Sequence, residues 1–206
     1  MTTDNAILRT EDLRCTFERW GQLVAALDAV TLTVAPGEWV MLAGPNGAGK
    51  STLLRILCRQ ITGFSGTVRI NGVSADRLSP RDWARLVHYV DQDPRSGTAP
   101  MLTVFENLAV ADPEFRSRRS CESRYVQLLA PYGLADRLRQ PVYTLSGGER
   151  QLVALLIAYL RQTSVVLLDE PIAALDANRG AMCMKVLRAL SAAGRTLIQV
   201  AHDLTL

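Results

Sequence analysis

No stretch of the 206-residue chain stays apolar for long enough to cross a bilayer. The longest such run, Leu152 to Leu160, is about half of the ~20 residues that a spanning helix needs. The N-terminus, Met1-Thr2-Thr3-Asp4-Asn5, lacks the basic start and apolar centre of a secretory signal. Cysteine is sparse: Cys15, Cys58, Cys121 and Cys183 form no Cys-x-x-Cys pair and have no histidine beside them, which argues against a disulfide framework and against a zinc site. An excess of one charge is also missing, since the net charge is only +3. Arginines gather at Arg116, Arg118 and Arg119 and at Arg137 and Arg139, but no aromatics alternate with them for base stacking. They read as solvated faces, and nucleic acid is not an expected partner. These absences point to a cytoplasmic protein whose membrane role, if it has one, comes through a partner.

The content is that of an ordinary folded chain, with 48% hydrophobic and 21% charged residues. Its length suits one sizeable domain, or a core with an inserted lobe, and no tandem repeat is present. The most informative stretch is Gly44-Pro45-Asn46-Gly47-Ala48-Gly49-Lys50-Ser51-Thr52. It fits the phosphate-binding loop: a glycine, four variable residues, then Gly-Lys-Ser. The apolar run Trp39–Ala43 before it predicts a buried strand, and Leu53-Leu54-Arg55-Ile56-Leu57 after it predicts an amphipathic helix. Glycines let backbone N–H groups turn inward around a polyphosphate, and the helix N-terminus adds its positive end. Lys50 supplies a full charge to the phosphates, and the Ser51 hydroxyl a ligand to magnesium.

Around this loop the chain reads in segments. Residues 7–34 read as short strands, closed by the turn Pro36-Gly37. Phe17 and Trp20 in that stretch each offer a ring for a nucleobase or for core packing. Asn71-Gly72 between β-type residues predicts a hairpin. Ser79-Pro80 predicts the cap and first turn of a short helix, and Val87–Val90 a strand carrying His88. From Arg95 to Leu160 helical spacing dominates, in Thr103–Val110, Ser120–Leu129 and Ser146–Leu160, with Thr103 and Ser120 as expected caps for the first two. Ser146-Gly147-Gly148 at the start of the third helix is a second backbone cradle for an anion. Val165–Leu168 suits a strand covered on both faces, and Asp169-Glu170 puts two carboxylates at its end, where ligands bind in open parallel sheets. Asp169 suits magnesium, and Glu170 suits activation of an attacking water. A helix from Asn178 to Ala193 and a strand over Thr196–Val200 then deliver His202.

Taken together these residues closely resemble the ATP-binding subunits of ABC transporters, in the same order along nearly the whole chain. The resemblance rests on the loop Gly44–Thr52, on Gln92, on the signature Leu145-Ser146-Gly147-Gly148-Glu149-Arg150-Gln151, on the strand with Asp169-Glu170, on Ala173–Asp176 and on His202. It implies an α/β fold, a P-loop NTPase (ABC-ATPase) core with an N-terminal antiparallel β subdomain and an inserted α-helical subdomain. The expected core spans 1–94 and 161–206, and the helical part 95–160. The implied ligands are ATP and Mg2+, the metal on Ser51, Asp169 and Gln92. Glu170 acts as base, while His202, Gln92 and Lys50 assist at the γ-phosphate. Two subunits, identical or paralogous, pack head to tail, so that Ser146, Gly147 and Gly148 of one cover ATP held by the other. The remaining implied partners are integral-membrane permease subunits and, for an importer, a substrate-binding protein; the subunit sits peripherally on the inner face of the membrane.

Within that family several choices stay open. The aromatic on adenine is Phe17 by alignment, with Trp20 second. Ala173 stands where the family often has serine. The loop Gln92–Thr98 and Glu106–Ala109 resembles importers of small solutes, whereas the shortness of the chain resembles the haem-exporter ATPase of cytochrome c maturation. A soluble ABC ATPase is a further alternative, although the tandem cassette or long coiled-coil insertion usual there is not visible.

Overall fold

Residues 7–34 fold as one long antiparallel hairpin, not as several short strands. Strands β1 (Leu8–Arg19) and β2 (Gln22–Val34) pair around a turn at Trp20-Gly21. Register shifts fall between Thr10 and Leu13, Leu13 and Cys15, and Cys15 and Thr16. Each bulge resets which face the next side chain occupies, so the alternation breaks in the sequence where the strand itself does not.

The computed structural model describes residues 5–173 and 175–201. They fall into two units, one comprising residues 5–89, 163–170 and 193–201, the other 90–162, 171–173 and 175–192. In the first, β3 (Trp39–Ala43) leads through the glycine-rich loop into α1 (Lys50–Leu57). Strands β4 (Ser65–Ile70) and β5 (Val73–Ser74) form the predicted hairpin, with Asn71 and Gly72 at φ 49° and 75°. They extend the first sheet to the order β2-β1-β4-β5. Helix α2 (Pro80–Leu86) is capped by Ser79, whose Oγ accepts the Asp82 N–H at 3.1 Å.

Strands β6 (Val87–Val90), β7 (Val165–Asp169) and β8 (Thr196–Ala201) join β3 in a second sheet of order β3-β8-β7-β6. Strand β8 runs parallel to both β3 and β7. Every residue of β7 and β8 is buried, as the unbroken apolar run of β7 requires. One apolar core gathers Leu8 and Leu13 of β1, Leu54 and Leu57 of α1, Ile70 of β4, Leu167 of β7 and Ile198 of β8.

The second unit is helical, with α3 (Val104–Ala111), α4 (Arg118–Leu129), α5 (Gly147–Arg161) and α6 (Ala177–Ala192). It therefore holds α6, which packs against α5, as well as the stretch 95–160. Thr103 caps α3 as expected, and Glu106 completes a capping box with it. On α4 the cap is Ser117, three residues before the expected Ser120: the Ser117 Oγ accepts the Ser120 N–H at 3.3 Å. Arg118 and Arg119, good helix formers, carry the first turn back to Ser117, and the Ser120 hydroxyl donates to the Ser117 carbonyl instead. Among the described residues no helix is long and apolar enough to cross a membrane.

A buried polar side chain sets the entry to α3. Asn107, 5% exposed, accepts the Ala99 N–H at 2.7 Å and donates to the carbonyls of Ala99 and Thr103, each at 3.0 Å. The carbonyls of Ala99 and Thr103 also accept the backbone N–H groups of Leu102 and Asn107, so Asn107→Ala leaves the Ala99 N–H without its partner, which predicts a loss of about 2 kcal/mol in urea unfolding. A loss below about 0.5 kcal/mol would mean that the loop does not depend on this side chain.

Candidate nucleotide site

Strand β3 delivers the chain to the loop, and α1 takes it away. Gly49, the N-cap of α1, has φ 83°, and a Cβ there would lie 2.2 Å from the Ala26 carbonyl oxygen and 2.9 Å from Leu27 Cδ2. Only glycine permits so close an approach to β2. Helix α1 has no side-chain cap and no acidic residue in its first turn. Its leading N–H groups and the positive end of its dipole are thus left for an anion. Lys50 Nζ donates to the carbonyls of Gly44 at 2.7 Å and Pro45 at 3.0 Å, which fixes the ammonium across the loop.

Residues Asn46, Gly47, Ala48, Gly49, Lys50, Ser51 and Thr52 line a cavity of about 240 Å³, together with Phe17, Ala26 and Glu170. Gly44 and Pro45 contribute instead through the carbonyls that hold Lys50. The two candidate aromatics separate here. Phe17, 42% exposed, lines the cavity; Trp20, 92% exposed at the hairpin turn, does not, and its ring faces the Arg19 guanidinium at 5.3 Å.

At the end of β7, Asp169 is 3% exposed. Its Oδ1 accepts from Ser51 Oγ at 3.0 Å and its Oδ2 from the Tyr89 hydroxyl at 3.0 Å. Hydroxyl and carboxylate oxygens are the donors magnesium prefers, so Ser51 and Asp169 fit that ion. Tyr89 escapes sequence reasoning, because a tyrosine in a four-residue strand signals packing and nothing more. Glu170 follows at φ 48°, in the left-handed region that costs a non-glycine residue energy, and is among the residues lining the cavity.

The signature stretch belongs to the helical unit. Ser146 is the N-cap of α5: its Oγ accepts the Glu149 N–H at 3.3 Å, while Glu149 Oε2 accepts the Ser146 N–H at 2.8 Å. Ser146 and Gly147 are exposed, and the serine hydroxyl keeps its own O–H as a donor. The hydrogen bond from the Ser146 backbone holds the Glu149 carboxyl below its ordinary range, with the positive charges of Arg179 and Arg137 adding to it. Asp176 caps α6, its Oδ1 accepting the Arg179 N–H at 2.9 Å. Gln92 lies exposed just beyond β6 in this unit. His202 lies outside the described residues.

The profile of the ABC transporter family matches residues 27–173. The cell division ATP-binding protein FtsE of Streptococcus pneumoniae (strain D39) is 31% identical over 93% of this chain and 84% of its own length. The cobalt import ATP-binding protein CbiO of Rhodobacter capsulatus is 37% identical over 89% of this chain and 66% of its own. The macrolide export ATP-binding/permease protein MacB of Acinetobacter baylyi is 31% identical over 99% of this chain, which spans only 31% of that protein. Among solved structures, the dimeric post-hydrolysis state of the ATP-binding cassette MJ0796, bound to ADP and Pi, superposes with a TM-score of 0.82 at 27% identity, covering 95% of this chain and 88% of that one. The chain belongs to the ABC transporter family and is an ATP-binding cassette, the module of that family that hydrolyses ATP.

Proposed function

We propose that this cassette powers solute transport by a membrane permease, working as a head-to-tail pair in which each copy completes the other's ATP site. The observation that carries this reading is the split of anion-binding elements within one chain. One unit has an uncapped helix N-terminus beside Lys50; the other has the exposed Ser146-Gly147 turn. The solved dimer of the similar cassette supports the pairing. In the helical unit, exposed Val110 and Leu102 border a cleft of about 160 Å³, and Met101 beside them is exposed as well. An apolar surface of this kind suits a protein partner, and its assignment to a permease places the cassette peripherally on the inner face of the cell membrane.

The chemistry follows from positions and charges. Loop amides and Lys50 hold the β- and γ-phosphates, and Phe17 offers a face to adenine. Ser51 and Asp169 would hold Mg2+. Bound magnesium neutralises charge on the phosphate oxygens. Glu170 takes the proton of the attacking water as the terminal phosphoryl group leaves, and His202 steadies that group. Ser146 and Gly148 of the second copy close over it.

For direction we propose import of a small solute, with a substrate-binding protein as a further partner. The loop Gln92–Thr98 supports it, as does the cobalt import relative at 37% identity. The macrolide export relatives favour a second reading, export. Uptake and efflux assays in vesicles holding the cognate permease separate the two: ATP-driven accumulation outside the cassette-bearing compartment would replace import by export. The haem-exporter and soluble-ATPase alternatives draw no support from the relatives above.

Glu170→Gln is expected to keep ATP binding while slowing turnover by about two to four orders of magnitude. Wild-type turnover in that variant would remove Glu170 from the role. Lys50→Ala is expected to act on nucleotide affinity itself, measured by equilibrium binding of a fluorescent ATP analogue. In the same assay Phe17→Ala should raise Kd by about tenfold, the worth of one base-aromatic stack, with Trp20→Ala close to wild type. The opposite order would hand the base to Trp20.

A further inference from the structure

Arg179, in the first turn of α6, reaches the start of α5 with its side chain. Its backbone N–H is fixed by the Asp176 cap. The side chain then runs along Gly148: a Cβ on that glycine would meet Arg179 Cγ at 3.1 Å, Cβ at 3.4 Å and Cδ at 3.5 Å. Beyond Gly148, Arg179 Nη2 donates to Glu149 Oε1 at 3.3 Å. The other oxygen of that carboxylate, Oε2, accepts the Ser146 N–H. Arg137 Nε stands 3.8 Å from Oε1 on the same carboxylate. Both partners are largely covered, with side chains 25% and 12% exposed for Arg179 and Glu149.

We propose that Arg179 is a positioning residue for the signature turn. It acts through Glu149, setting the direction in which Ser146 and the amides of Gly147 and Gly148 point. A positive charge at a helix N-terminus opposes the helix dipole, so the arginine is tolerated there only while Glu149 balances it. That dependence makes the pair a clamp. Because the Asp176 cap holds the same arginine, a shift of Asp176 moves the guanidinium and with it the Glu149 carboxylate. Asp176 and the signature turn are thereby coupled inside one chain. The geometry stands on this chain's residues alone; its consequence for ATP rests on the head-to-tail pairing proposed above.

Arg179→Met tests the clamp, because methionine still covers Gly148 but carries no charge. In the nucleotide-free full chain, hydrogen exchange across Ser146–Gln151 should quicken about threefold to tenfold, the worth of a half-screened charged hydrogen bond. Arg179→Lys should recover most of the protection. Glu149→Gln should match Arg179→Met, with no further loss in the double variant. Unchanged exchange in Arg179→Met, or additive losses in the double variant, overturns the clamp. Where Arg179→Met does not fold, Glu149→Gln alone and combined with Arg179→Lys makes the same comparison.

The consequence is read in the Glu170→Gln background by sedimentation. Arg179→Met should raise the ATP concentration needed for dimerisation by a similar factor while leaving ATP affinity of the monomer unchanged. If the Glu170→Gln parent dimerises with ATP and Arg179→Met dimerises equally well, positioning of the signature is refuted. If the parent itself does not dimerise, the head-to-tail reading fails instead, and hydrogen exchange alone decides the clamp.

Discussion

The contact between Gly49 and the Ala26 carbonyl governs the nucleotide-binding unit. It presses the loop onto β2 at a distance no side chain could occupy. Because β2 is half of the long hairpin, the same contact brings Phe17 of β1 to the cavity that the loop lines. The cost is a helix N-terminus with no side-chain cap, which for a glycine at that position is only roughly a few tenths of a kcal/mol. Leu53, Leu54, Ile56 and Leu57 on the buried face of α1 offset it many times over, at about 1.5–3 kcal/mol for each fully buried side chain. Core packing therefore holds in place an arrangement that local helix energetics would not choose.

The two helix starts solve opposite electrostatic problems. Helix α1 opens on Gly49 with no acid in its first turn, so its positive end faces the cavity undiminished. Helix α5 opens on Ser146 with Glu149 folded back over it, so its end is neutralised from within. A neutralised end is a weaker anion site taken alone. What it offers is a fixed shape: the serine oxygen accepts one N–H and retains its own hydrogen to donate. An end of the first kind suits a site that must hold a polyanion by itself. An end of the second kind suits a lid, which must recognise a phosphate without binding one so tightly that it cannot reopen.

Much of this was legible in the sequence, for reasons that differ by residue. The loop Gly44–Thr52 is local: strand, glycines, lysine and helix lie within twenty residues, and each signals its own conformation. The Asn71-Gly72 turn and the Thr103 cap are equally local, and both formed as read. Phe17 against Trp20 could not be separated that way, since three residues of a bulged hairpin decide which ring meets a cavity built thirty residues later. Tyr89 and Arg179 were invisible for a related reason. Their partners, Asp169 and Glu149, lie 80 and 30 positions away, and neither residue type advertises a hydrogen bond at such a distance. Ser117 and Ser120 show the limit of a cap signal itself: two serines one turn apart look alike until the backbone chooses.

The adjacent carboxylates Asp169 and Glu170 sit in different settings at one strand end. Asp169 still belongs to β7, is buried, and has both oxygens engaged by hydroxyls from Ser51 and Tyr89. A carboxylate so restrained presents a fixed oxygen, which is what a metal ligand needs. One residue on, the backbone turns to φ 48°, so Glu170 no longer follows the alternation of the strand. Glu170 contributes to the lining of the cavity there, beside Ser51 and Lys50. The strain is of order 1–3 kcal/mol, small against a fully buried strand that pairs with β8 along its whole length. The turn at Glu170 redirects the chain at the end of β7 while Asp169 keeps both of its hydroxyl partners.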